Sequence, residues 1–132
     1  MRNRFLPSVL LLLAAALALA VAANAEDEEA DAAEARAAEE AARKAGAKVY
    51  DDKALGTNDR SCSTCHSNPK RPDLSLKGVN DRFPRYDRNA GRVITLQEKF
   101  AQMQDRSLKA RKPMPLGDER WTALEIYLRS LK

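Results

Sequence analysis

The chain is short of most things that other functions need. It has one histidine and two cysteines in 132 residues, all three inside a five-residue window. A structural zinc site takes four ligands at tetrahedral geometry, so the usual fourth donor is missing. Seven aromatic residues leave little for stacking along a nucleic acid, and the bases are scattered rather than gathered in a stripe. Strand-like alternation of apolar and polar residues is absent, which leaves an all-α architecture. Five glycines and six prolines fall mostly in the second half of the chain.

What is present starts at the amino end. Met1-Arg2-Asn3-Arg4 is followed by an almost wholly apolar run from Phe5 to Ala23, then Ala23-Asn24-Ala25. A positive start, an apolar middle and a small-residue A-x-A site make a secretory signal peptide over 1–25, cleaved after Ala25. The rival reading is an uncleaved anchor, since about 19 apolar residues nearly span a bilayer. Cleavage would leave 107 residues, a single small domain in the periplasm with no stable membrane insertion.

Charge divides the remainder. Residues 26–52 carry ten acids and four bases, whereas 53–132 carry nine acids and 17 bases. The Ala/Glu/Asp-rich stretch 26–36 has high helix propensity and nothing larger than alanine to bury, so it reads as a solvated or frayed tail. Glu39–Arg43 and Glu40–Lys44 are i,i+4 pairs that support the helix further on. The domain proper is expected over 37–132.

The centre of the chain is Cys62-Ser63-Thr64-Cys65-His66. Cys-x-x-Cys-His is a c-type haem attachment pattern. Two thiols add across the two vinyl groups of one haem, and the adjacent His66 gives iron an imidazole nitrogen. A disulfide or a thiol redox pair would also use Cys-x-x-Cys, but neither gives a reason for the histidine. Export agrees, because haem c is attached outside the cytoplasm, where bare thiols would otherwise oxidise. One covalent haem c would make up much of so small a core.

Helices are expected around it. Ala42, Ala45, Gly46, Val49 and Tyr50 share one face of a first helix, and Gly46 there predicts close approach of another helix. That partner is the last helix, 118–131, with Asp118 as N-cap and Trp121, Leu124, Tyr127, Leu128 and Leu131 as its stripe. A third helix runs over about 93–108, with Thr95 and Glu98 as a capping box and Leu96, Phe100 and Met103 on one face. Residues 67–91 hold three prolines and two glycines; a loop so long needs something to wrap around. A carbonyl of Pro72-Asp73-Leu74 is placed to accept the second N–H of His66. Among Arg82, Arg85, Tyr86, Arg88 and Arg92, one or two are expected to meet haem propionates. Trp121 and Tyr127 are read as packing residues.

Iron needs a sixth ligand, and no second histidine exists. The candidates are Met103 and Met114. Pattern alone favours Met114, in the proline-braced loop Lys112-Pro113-Met114-Pro115; Met103 reads as core packing on a helix.

From Val49 to the end the chain resembles the cytochrome c domains of sulfur-oxidising systems, namely thiosulfate dehydrogenases and the haem-bearing A subunit of the sulfur-oxidation cytochrome complex. The resemblance is carried by Leu55-Gly56-Thr57-Asn58, Phe83-Pro84-Arg85-Tyr86, Gly91-Arg92-Val93-Ile94-Thr95-Leu96-Gln97, Lys112-Pro113-Met114-Pro115-Leu116 and Leu124-Glu125-Ile126-Tyr127-Leu128. It implies a cytochrome c fold, three to four helices around one covalent haem. It also shifts the sixth ligand to Met103, the position of the family's distal cysteine. The chain has no third cysteine and no second haem motif. The expectation is therefore a periplasmic monohaem electron carrier serving other periplasmic redox proteins in sulfur-compound oxidation. The alternative is a subunit or catalytic domain of a thiosulfate-oxidising enzyme.

Overall fold

The computed structural model describes residues 6–131, and of residues 6–27 the helical backbone alone. The expected leader over 1–25 and its cleavage site thus lie outside the residues whose side chains are described. Four α-helices occur among the described residues: α1 (Leu6–Asp51), α2 (Cys62–His66), α3 (Leu96–Arg106) and α4 (Glu119–Arg129). Among the residues whose side chains are described, 28–131, no helix is long and apolar enough to cross a membrane. The chain forms two compact units, Met1–Ala38 and Glu39–Lys132.

In the first unit α1 continues without a break through 26–36, the stretch read from sequence as solvated or frayed. From residue 28 to Ala38 its side chains are exposed, Ala32 being half-buried. Alanine-rich sequence keeps the helix without help from packing.

The second unit holds the core. Glu40 bonds Arg43 at 2.7 Å and Lys44 at 3.5 Å, so Arg43 pairs one turn back with Glu40 rather than with Glu39. Val49 and Tyr50 of α1, Leu96 and Phe100 of α3, and Trp121, Leu124 and Leu128 of α4 form one apolar cluster with Leu55, Val79, Leu108 and Met114. Gly46 lies directly against α4: a Cβ there would sit 2.0 Å from the Ala123 carbonyl oxygen. Two aromatic pairs finish the packing, Tyr50 with Tyr127 at 5.3 Å between ring centroids and Phe100 with Trp121 at 5.5 Å. Such tilted pairs each add about 0.5–1.5 kcal/mol beyond area burial.

The ends of α3 and α4 follow from capping. Thr95 Oγ1 accepts from Glu98 N–H at 3.2 Å while the Glu98 carboxylate accepts from Thr95 N–H at 2.7 Å. This reciprocal pairing satisfies two donors left free by the first turn. Asp118 caps α4 by accepting from Arg120 N–H at 3.0 Å. Its carboxyl is held at about 2 by the Arg120 guanidinium and then by that backbone N–H.

The absence of strands expected from sequence is corrected here. Between the haem motif and α3 lies a small antiparallel hairpin, β1 (Arg85–Asp87) with β2 (Arg92–Ile94), paired Arg85 to Ile94, Tyr86 to Val93 and Asp87 to Arg92. Three residues per strand are too few to show a period of two. Asp87 locks the turn, accepting from Asn89 and Ala90 N–H at 3.0 Å, and holds Lys99 of α3 at 3.0 Å. The rest of 67–91 is not structureless. It is a chain of short 3₁₀ turns, Pro72–Leu74 and Asn80–Arg82 among them, folded along one side of a cavity.

Candidate functional site

The cavity has a volume of about 580 Å³ and lies wholly within the second unit. That is within the range of sites that enclose a drug- or cofactor-sized group, about 300–1,000 Å³. Most of its wall is apolar: Leu76, Val79 and Phe83 from the loop, Leu96 and Phe100 from α3, Leu124 from α4.

Cys62, Cys65 and His66 line this cavity together. Ser61 is the N-cap of α2, and its N–H donates to Thr64 Oγ1 at 3.0 Å, which starts the short helix at the first cysteine. One helical turn then separates the two sulfurs and carries both along the same wall. Burial pushes the Cys62 thiol up to about 11. A thiol held neutral in this way is not poised for disulfide exchange, whose nucleophile is the thiolate.

His66 Nδ1 is hydrogen-bonded to the Leu74 carbonyl oxygen. A carbonyl only accepts, so Nδ1 carries a proton, which leaves Nε2 as the ring nitrogen that can face a metal. A ligating histidine is commonly fixed in just this tautomer by its other nitrogen. Among the described residues no group of three or more His, Cys, Asp or Glu side chains converges to hold a bare metal ion.

The two methionines part company. Met103, half-buried on α3, lines the cavity. Met114 does not; it is buried in the apolar cluster, and its N–H donates to Gln104 Oε1 at 2.8 Å. Gln104 in turn donates from Nε2 to the Leu55 carbonyl at 2.9 Å. Its amide therefore ties the proline-braced loop to the turn that precedes α2.

Of the five loop residues weighed as propionate partners, only Arg82 and Arg85 reach the cavity wall. Arg85 stacks over the Phe83 ring at 4.7 Å. Arg92 pairs with Glu98 at 2.6 Å, and Tyr86 is exposed. Sequence reading missed Arg60, Lys99, Arg106 and Lys109, which also line the cavity. Lys99 and Arg106 stand four before and three after Met103, so helical spacing could have placed them on its face. Asp73 is the one acid among these lining residues.

The family model for the SoxA/TsdA cytochrome c domain matches residues 45–131. The chain belongs to this family. No curated protein and no solved structure matches it. The SoxA/TsdA match begins at Ala45, inside α1, and ends at Leu131, just after α4. It therefore covers the whole apolar cluster and the cavity. This is a c-type cytochrome domain that works in electron transfer and takes haem c.

The site fits that group on its own donor set. Two thiols lie one turn apart on a cavity wall, beside an imidazole whose free nitrogen is Nε2. Apolar walls supply the water-poor surroundings that a macrocycle of this kind occupies.

Proposed function

We propose that the chain is an exported, single-haem electron carrier in sulfur-compound oxidation, with Cys62 and Cys65 as attachment points and His66 and Met103 as axial ligands. In this reading 1–25 is the cleaved leader, 26–36 an acidic tail and 37–132 the cytochrome domain. The observation that carries it is the placement of the methionines: Met103 lines the cavity that holds His66, whereas Met114 is packed in the core.

Haem c supplies a one-electron couple there, and the chain's residues tune and protect it. His66 and Met103 would hold the iron and keep small ligands off it. Leu76, Val79, Phe83, Phe100 and Leu124 exclude water. Arg60, Arg82, Arg85, Arg106 and Lys109 give the rim a positive field that steers an acidic redox partner outside the cytoplasm.

The test is a pair of alanine variants read by the ferric methionine–iron charge-transfer band. Met103→Ala abolishes the band; Met114→Ala keeps it while losing about 2–5 kcal/mol of stability, the usual cost of emptying a buried methionine site. A band that survives Met103→Ala rules out this ligand assignment. The family name, which joins SoxA with TsdA, keeps a second reading in view, a subunit or catalytic domain of a thiosulfate-oxidising enzyme. Thiosulfate-dependent haem reduction by the purified protein alone would favour it over a carrier.

A further inference from the structure

The loop before α2 grips the end of α3 with three hydrogen bonds to three successive carbonyls. Asn58 Nδ2 donates to the Ser107 carbonyl at 2.8 Å, Thr57 N–H to Leu108 at 2.9 Å, and Thr57 Oγ1 to Lys109 at 2.7 Å. These partners are about fifty residues apart in sequence. Gly56 makes the grip possible, because a Cβ there would lie 1.9 Å from the Leu108 carbonyl oxygen.

Each end of this clasp leads to one side of the cavity. Asn58 stands four residues before Cys62, where α2 begins. Ser107 and Leu108 both return their N–H groups to the Met103 carbonyl, at 2.8 and 3.2 Å, and Ser107 Oγ lies 3.6 Å from the Met103 sulfur. The clasp is thus the short mechanical path between the helix that carries His66 and the turn that carries Met103.

We infer that Thr57 and Asn58 are positioning residues that set how firmly Met103 reaches the haem iron. This rests on Met103 being the sixth ligand. A neutral thioether is a soft donor whose bond to iron depends on separation, so the clasp decides how often the methionine lets go. Thr57 is exposed and Asn58 only half-buried. Losing either bond therefore costs the folded state no more than one hydrogen bond, and the loss falls first on the local spacing of the two walls.

The experiment uses the haem-loaded protein and the variants Thr57→Val, Thr57→Ser, Asn58→Ala and Met103→Ala. Imidazole is titrated into the ferric form while the methionine–iron charge-transfer band is followed, and helix content is followed separately against guanidinium. An entering ligand sees an apparent affinity proportional to the fraction of molecules with Met released. One lost hydrogen bond corresponds to a rise of about fivefold in that fraction. Thr57→Val and Asn58→Ala are expected to bind imidazole about fivefold more tightly, with the folded-to-unfolded ratio lowered by no more than the same factor of about five. Thr57→Ser, which keeps the hydroxyl, returns to the parent value. Unchanged imidazole affinity in both variants, or a change that merely tracks loss of helix, overturns the inference. If the band survives Met103→Ala, the ligand assignment fails and the inference falls with it. If Met103→Ala removes the band while the clasp variants behave as the parent, only the clasp is wrong.

Discussion

Replacing Gly46 by alanine sets two effects of opposite sign against each other at one atom. Gly46 is inside a helix, where alanine is favoured by about 1 kcal/mol. Were propensity the whole story, Gly46→Ala would stabilise the protein. The structure places the new Cβ 2.0 Å from the Ala123 carbonyl oxygen, 2.6 Å from its carbon and 2.7 Å from Tyr127 Cβ. All of these belong to, or are fixed by, the α4 backbone, so no flexible side chain can swing clear. Restoring ordinary contact requires α1 and α4 to part by about 1.4 Å, enough to forfeit much of the dispersion energy between facing side chains. Val49 and Tyr50 would then lose contact with Leu124, Tyr127 and Leu128. Overpacking costs about 1–3 kcal/mol, and a backbone clash belongs at the upper end. Subtracting the propensity gain leaves about 2 kcal/mol of net destabilisation, roughly a thirtyfold fall in the folded-to-unfolded ratio. Guanidinium unfolding of the haem-loaded protein, followed by far-ultraviolet circular dichroism, measures it. Ala45→Gly, at the exposed neighbouring position, calibrates the propensity term. A Gly46→Ala protein as stable as the parent, or more so, would refute the close crossing.

Gln104→Leu keeps the volume but strands the Leu55 carbonyl and the Met114 N–H, both bonded to this buried amide. Each unpaired group costs about 1–3 kcal/mol, so the variant should lose about 2–6 kcal/mol in the same unfolding assay while its haem remains covalently attached. Asp118 titrates at about 2 in the folded protein, below the roughly 3.9 of an unfolded aspartate. Its contribution to stability is therefore present above about pH 4 and is lost as pH falls towards 2. Asp118→Asn should flatten the stability profile across that window and leave the slope above it unchanged; an unaltered acid limb would count against the capping role.

The sequence by itself determined the chemistry and the helical frame. Cys62, Cys65 and His66 could be read as one haem site because covalent attachment demands that spacing whatever the fold. Thr95 with Glu98, and Asp118, marked helix starts because capping is a local interaction over three residues or fewer. Gly46 announced a close crossing because its cost in a helix needs a compensating contact. Only the tertiary structure decided what depends on residues distant in the chain. It put Met103 on the cavity wall and Met114 in the apolar core, two positions for which the proline-braced pattern alone had favoured Met114 and the family resemblance Met103. It brought Arg60, Lys99, Arg106 and Lys109 to the rim, and set Gln104 between two loops. It also joined Thr57 and Asn58 to the end of α3 across about fifty residues. The hairpin at Arg85–Ile94 belongs with these, since strands of three residues owe their form to the partner opposite rather than to their own pattern. Local bonds leave a signature in neighbouring letters; contacts closed by folding do not.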